Sequence, residues 1–292
     1  MENVLEIQNL RKEYEGFTLS DVSFSIPKGY IMGLIGPNGA GKTTIIKLIL
    51  NLILRDAGEI QIFGRDNRAD EISIKDRIGF VHDAPIFYDY LSLQKIASII
   101  RPFYSRWDDE IFTRLSGEFE LSLKKKFKDL SRGMKMKFAL VLAFSHHADF
   151  IIMDEPTSGL DPVFRRELLE RLSEMLQDEE KSILFSTHIT SDLERIADYI
   201  TFIKDGKIVF STSKDEILDQ WGVVRGGNDQ LNPEVQSLLQ GCRVGEFGFE
   251  GITSDAASAR RLLNDRAVVE RATLDDIMFF IVKGKDGDHG CP

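Results

Sequence analysis

The sequence predicts an α/β fold, a mixed sheet whose central strands carry polar residues at their carboxyl ends. Three observations predict it. A short apolar run, Tyr30-Ile31-Met32-Gly33-Leu34-Ile35, leads into Gly36-Pro37-Asn38-Gly39-Ala40-Gly41-Lys42-Thr43-Thr44, and Ile45-Ile46-Lys47-Leu48-Ile49-Leu50 continues with helical character. A second run, Phe150-Ile151-Ile152-Met153, ends in Asp154-Glu155, and a third, Ser182 to Thr187, ends at His188. Continuous apolar runs of this length read as strands buried on both faces, and the carboxyl edge of such a sheet is where α/β folds place ligands.

The glycine-rich stretch fits Gly-x-x-x-x-Gly-Lys-[Ser/Thr] in the context strand, turn, helix. Backbone N–H groups of Gly36, Asn38, Gly39, Ala40 and Gly41 can curl around an anion, and the helix opening at Lys42 adds its free N–H groups and positive dipole end. Lys42 supplies a mobile point charge for β and γ phosphates, Thr44 follows on the same turn, and the Thr43 hydroxyl is placed to ligate Mg²⁺. Asp154 can hold the same Mg²⁺, and Glu155 can take a proton from an attacking water. His188, at the end of a neighbouring strand, joins this group.

Upstream, Leu5 and Ile7 alternate with polar neighbours, as do Val22, Phe24 and Ile26, the period of strands with one wet face. Tyr14 lies between them. It could stack on a nucleotide base or be a turn residue packed on the sheet. Asp56-Ala57-Gly58 marks a turn before a strand over 59–64, and Ile78-Gly79-Phe80-Val81 reads as a short buried strand ending at His82-Asp83. From Leu91 to about Phe144 the spacing turns helical, with Leu93, Ile96, Ile100 and Phe103 on one face and Phe112, Leu115 and Phe119 on another. Arg165 to Leu176 reads as a helix, and Phe202 to Phe210, folded around Asp205-Gly206, as a hairpin closing the sheet.

Composition sets limits. At 292 residues the chain can hold one large domain and a smaller one, and its formal net charge of −10 argues against nucleic acid as a default partner. Cys242 and Cys291 match no zinc spacing and suggest a reducing compartment. The N-terminus lacks a basic and apolar leader, and no uncharged apolar stretch reaches membrane-spanning length, so the expected location is cytoplasmic. Lys124-Lys125-Lys126 with Lys128, Arg132, Lys135 and Lys137 form a basic cluster in this acidic chain. It can be a solvated face or attract nucleotide or anionic lipid. His146-His147 lacks a matching ligand set.

The phosphate loop, Leu130-Ser131-Arg132-Gly133-Met134, Asp154-Glu155, Ser158-Gly159-Leu160-Asp161 and His188, in that order, resemble the nucleotide-binding subunit of an ABC transporter over roughly residues 3 to 220. The resemblance implies a P-loop NTPase ABC-type ATPase core, with an antiparallel β subdomain and an inserted helical subdomain at about 88–145. In this family Tyr14 matches the aromatic that stacks on adenine, Asp154 the Mg²⁺-associated acid, Glu155 the general base and His188 the switch residue at the γ-phosphate. Asp161 matches the loop between subunits, and Asp83 stands where a Mg²⁺-sensing glutamine is usual. The family signature reads Leu-Ser-Gly-Gly-Gln, but here Arg132 and Met134 replace the first glycine and the glutamine. It also implies a homodimer or heterodimer with a second ATPase subunit. ATP and Mg²⁺ would lie between one phosphate loop and the opposite Ser131 and Gly133, and separate transmembrane permease subunits would hold the pair on the cytoplasmic membrane face. The substitutions and the ending Ala272 to Met278 resemble the ABC-2-type branch that exports peptides, antibiotics or drugs. A nucleotide-binding regulatory module with little hydrolysis and a soluble non-transport ABC ATPase are the alternatives.

The expected domains are an ATPase domain over 1–215, a small α+β appendage over 216–283 and a flexible tail over 284–292. Within the appendage, Gly222 to Asn232 reads as a glycine-rich break, Val235 to Leu239 and Ala256 to Leu263 as short helices, and Thr273 as the cap of a last helix bearing Ile277, Phe280 and Ile281.

Overall fold

The computed structural model describes residues 2–175, 181–263 and 267–283, so the expected tail over 284–292 and the expected helix end at residue 176 lie outside the described residues. Among the described residues the chain divides into two compact units, one within residues 2–188 and 195–211, the other within 189–194 and 212–283.

The first unit opens with β1 (Asn3–Tyr14), β2 (Phe17–Pro27), β3 (Ile31–Ile35), α1 (Lys42–Ile49), β4 (Ala57–Ile62), β5 (Arg65–Asp66), α2 (Glu71–Asp76) and β6 (Ile78–Val81). Three helices follow: α3 (Leu93–Ile100), α4 (Asp109–Glu118) and α5 (Arg132–Phe144). The chain then runs through β7 (Phe150–Asp154), α6 (Pro162–Met175), β8 (Ser182–Thr187), α7 (Thr190–Ile196), β9 (Tyr199–Lys204) and β10 (Lys207–Ser213). These strands form two of the three sheets among the described residues, an antiparallel β2-β1-β4-β5 and a six-stranded β10-β9-β3-β8-β7-β6. In the larger one β3 pairs parallel with β8 and β9, and β7 with β6 and β8. Register sets Ile35 opposite Thr187, Asp154 opposite Ser186 and Val81 opposite Met153. The strands therefore end level, and the loops leaving them share one edge.

Helix α1 is what these sheets are built around. Its Ile45, Ile46, Leu48 and Ile49 share one buried cluster with Leu5 and Ile7 of β1, Ile60 and Ile62 of β4, Leu34 of β3, Ile152 of β7 and Leu184 of β8. Each such side chain contributes about 1.5–3 kcal/mol by leaving water, which anchors the phosphate-loop helix from both sides.

The helical stretch forms as its spacing suggests, with one correction. Ser92 and Asp108 cap α3 and α4, accepting from Lys95 N at 3.3 Å and from Ile111 N at 2.9 Å, and Leu93, Ile96, Phe112, Leu115 and Phe119 are buried. Phe103 is not on that face. It is 78% exposed, because Arg101–Phe103 tightens into a 3-10 turn at Pro102, which has no N–H to continue the α pattern.

The second unit contains α8 (Lys214–Gln220), β11 (Gly222–Gly226), α9 (Pro233–Leu238), β12 (Gly241–Val244), β13 (Phe249–Thr253), α10 (Ala256–Leu263), β14 (Val268–Arg271) and α11 (Leu274–Lys283). Its antiparallel sheet runs β12-β13-β11-β14. The segment expected as a glycine-rich break starts instead as β11, an inner strand. A Cβ at Gly222 would lie 2.9 Å from the Ala256 Cβ and 3.1 Å from Glu270 O, so the glycine marks close packing rather than a turn. Thr273 caps α11 as expected, its Oγ1 accepting from Asp276 N at 3.1 Å, and Ile277 and Phe280 are buried. Residues 189–194 group here rather than with the first unit, with Glu194 O accepting from Lys214 Nζ at 3.0 Å and its Oε1 from Leu274 N at 3.0 Å.

The β9–β10 turn tests how tightly the phosphate loop is braced. Asp205 and Gly206 have φ of 48° and 73°, as a two-residue hairpin requires, and Gly206 N donates to Ala40 O at 3.1 Å. A Cβ on Gly206 would run into Thr18 O. Gly206→Ala is expected to cost about 2 kcal/mol or more of stability and to weaken nucleotide binding, checked by urea denaturation and by titration with ATP.

Candidate nucleotide site

The loop between β3 and α1 is shaped by close approaches that only glycine allows. A Cβ on Gly36 would collide with Ile203 O, and one on Gly41, at φ 112°, would lie 3.0 Å from the Phe17 ring. The turn wraps a cavity of about 360 Å³ lined by Phe17, Asn38 through Thr44, Asp83, Glu155, Ser158 and His188. Lys42 is buried. Its Nζ donates to Gly36 O at 2.8 Å and Pro37 O at 3.2 Å, and lies 3.4 Å from Glu155 Oε1.

The ends of β7 and β8 supply the opposing wall. Asp154 is buried and accepts from Thr43 Oγ1 at 2.9 Å and from Ser186 Oγ at 2.9 Å. Glu155 sits at φ 50°, a left-handed conformation that costs a residue with a Cβ about 1 kcal/mol or more. It is held by its own N–H to Ser186 O at 2.9 Å and by His188 Nδ1 at 2.7 Å from Oε2. Thr43, Asp154 and Asp83 offer only oxygen donors, the chemistry a small hard divalent cation takes when it also binds phosphate.

The structure thus brings Gly36 through Thr44, Asp83, Asp154, Glu155 and His188 to one strand edge. Four other expected residues lie apart from the cavity lining. Tyr14, half exposed at the end of β1, faces Phe17 across the hairpin and carries Lys12 Nζ 5.6 Å from its ring centre. Ser131 is exposed and caps α5, accepting from Met134 N at 3.3 Å, with Gly133 two residues on. Asp161 caps α6, its Oδ1 accepting from Val163 N at 3.1 Å and Phe164 N at 3.0 Å. Arg132 packs against the loop before Asp161: a Cβ on Gly159 would lie 2.8 Å from its Cζ.

Sequence reasoning missed Phe17 and Ser186. Phe17 carries no motif, and its ring reaches the loop only through the β1–β2 hairpin. Ser186 sits two residues before His188 in an apolar run and is marked only by being a buried hydroxyl next to an acid. Beside the site, a second cavity of about 380 Å³ is lined by Phe80, His82, Pro85, Ile86, Phe87, Ile100, Phe103, Tyr104, Ala139, Leu142, Ala143 and His146. His146, one of the lining residues, is stacked on Tyr104 at 3.8 Å with its ring nitrogens 3.0 Å from Leu142 O and Ile78 O. Burial pushes its pKa below the usual imidazole value, against the pull of those two carbonyls. It is a structural residue tying α5 to β6.

A phosphate loop facing an acid-tipped strand across a buried lysine defines a nucleoside-triphosphatase of the P-loop class. The comparisons narrow the class. The ABC transporter family model matches residues 19–158, and an AAA-domain model matches 126–191. The lantibiotic transport ATP-binding protein SrtF of Streptococcus pyogenes is 35% identical over 217 residues, 73% of this chain and 92% of that protein. The bacitracin transport ATP-binding protein BcrA of Enterococcus faecalis is 33% identical over 222 residues, 74% of this chain and 71% of that one. A solved ATP binding subunit of an ABC transporter superposes with a TM-score of 0.68 at 31% identity, over 74% of this chain and 92% of its own. The chain belongs to the ABC transporter ATP-binding family, whose members hydrolyse ATP to drive transport through transmembrane partners.

Proposed function

We propose that the chain powers export of a peptide, antibiotic or drug, closing as a dimer around two MgATP and reopening on hydrolysis. The observation that carries this reading is the convergence of Lys42, Thr43, Asp154, Glu155 and His188 on one strand edge; the direction and cargo class rest on the relatives named for lantibiotic and bacitracin transport.

In this reading the triphosphate lies along the N–H groups of Gly39 to Thr44, and Lys42 exchanges its loop carbonyls for phosphate oxygens. Thr43, Asp154 and Asp83 would hold Mg²⁺, which supplies charge neutralisation at the phosphates. Glu155 accepts the proton of the attacking water, and His188, already hydrogen-bonded to Glu155, orients it. The base extends past Phe17 towards Tyr14. Ser131 and Gly133 do not line their own chain's cavity, which suits a role against a partner's nucleotide; Ser131 then offers its hydroxyl and the α5 N-terminus to the γ-phosphate. Asp161 would lie on the seam. The apolar cavity over His146 is suited to a segment of a membrane-spanning partner, and no helix among the described residues is long and apolar enough to cross a membrane.

Two substitutions test the roles. Glu155→Gln keeps ATP binding while lowering the steady-state rate of phosphate release by about 10²–10⁴-fold, and turnover within a fewfold of the unmodified protein would remove Glu155 from the base role. Tyr14→Ala weakens ATP binding by about ten- to a hundredfold, the worth of one stacked base, and Tyr14→Phe preserves it; equal affinity in all three proteins by calorimetric titration would leave Tyr14 as a turn residue.

A further inference from the structure

Nucleotide chemistry leaves unused one surface of the helical portion. Segments 86–94 and 123–128 lie against each other through Lys128 N to Asp89 O and Phe127 N to Leu91 O, each 3.0 Å, and Leu93 N to Lys125 O at 3.1 Å, with Ser92 and Lys126 bridged antiparallel. The pairing sets two aromatics beside a run of cations. Tyr88 and Tyr90 are each 75% exposed. Lys124, Lys125, Lys126 and Lys128 are all exposed, and Lys128 Nζ stands 4.9 Å over the Tyr90 ring. Among the described residues the first three lysines have no ion-pair partner. Asp89 is the carboxylate within these segments and Asp129 follows directly, so four lysines against two acids leave the strip net positive on a chain of charge −10.

From this strip we infer a direct contact between the subunit and the anionic headgroups of a lipid bilayer. Tyrosine is amphipathic, with a ring that favours the headgroup level and a hydroxyl that stays wet. Lysines on long stems reach phosphates while remaining hydrated. A layer of anionic headgroups attracts clustered lysines without requiring a fixed pairing geometry. The overall negative charge repels an anionic surface, so a local positive strip decides which face approaches it. The contact is independent of the nucleotide reading, and goes beyond attachment through a permease.

Flotation of the full chain with phosphatidylcholine vesicles, with or without phosphatidylglycerol, tests it. Binding is expected only to vesicles containing phosphatidylglycerol and is expected to fade as salt is raised. Lys124→Gln, Lys125→Gln and Lys126→Gln combined weaken it by about a hundredfold, about fivefold per lysine, while the same three changed to Arg retain it. Tyr88→Ser with Tyr90→Ser weakens binding but leaves its salt dependence. Unchanged ATP affinity in these variants reports an intact fold. Equal binding to neutral vesicles, no binding to anionic ones, insensitivity to the triple Gln change, or attachment only to vesicles carrying a membrane-spanning protein would each overturn the inference, the last assigning the strip to a protein partner.

Discussion

Lys42 carries its charge into a position only 6% exposed to solvent. Removing an ammonium from water costs several kcal/mol unless charges and dipoles replace the lost hydration, and here the replacement consists of two loop carbonyls and one carboxylate shared with His188. In the proposed mechanism an entering polyanion adds to that compensation. The rest of the core can be understood as the means of keeping a cation and a set of acids close without letting them collapse together: Asp154 is committed to Thr43 and Ser186, and Glu155 is turned by an uncommon backbone conformation towards Lys42 and His188.

What imposes this spacing is the parallel register of β3, β8 and β7, since a slip of one residue in any pair would move a side chain to the opposite face of the sheet. The register is in turn fixed by burial on both sides of the strands. Every residue of β3, β7 and β8 is buried, so no shift can occur without exposing apolar surface. Precise placement of side chains at the edge is thus a by-product of packing beneath it, with α1 locked between the two sheets.

That Lys42, Asp154, Glu155 and His188 come to one edge is legible because each lies just beyond a short apolar run, and short-range pattern is what sequence displays most directly. The braces on the loop are not. Ile203 O against Gly36, Gly206 against Ala40 and the Phe17 ring against Gly41 are contacts between residues far apart in the chain, and none leaves a local signature. Phe103 was misplaced because apolar spacing alone does not register the change of helical pitch at Pro102. Gly222 misled in the opposite sense: a glycine that signals a break in most contexts here permits an inner strand to pack on Ala256. Helix caps fared better, since Ser131 and Thr273 do locally what their chemistry suggests.

The proposed mechanism requires that one chain's phosphate loop be completed by another chain's Ser131 and Gly133, because those residues stand apart from their own cavity. Light scattering of the purified chain with Mg²⁺ and a non-hydrolysable ATP analogue measures this most directly. With the nucleotide the mass should be that of two chains, and without it that of one. A mass that stays at one chain at saturating nucleotide, alone and with its membrane partner present, would contradict the shared site.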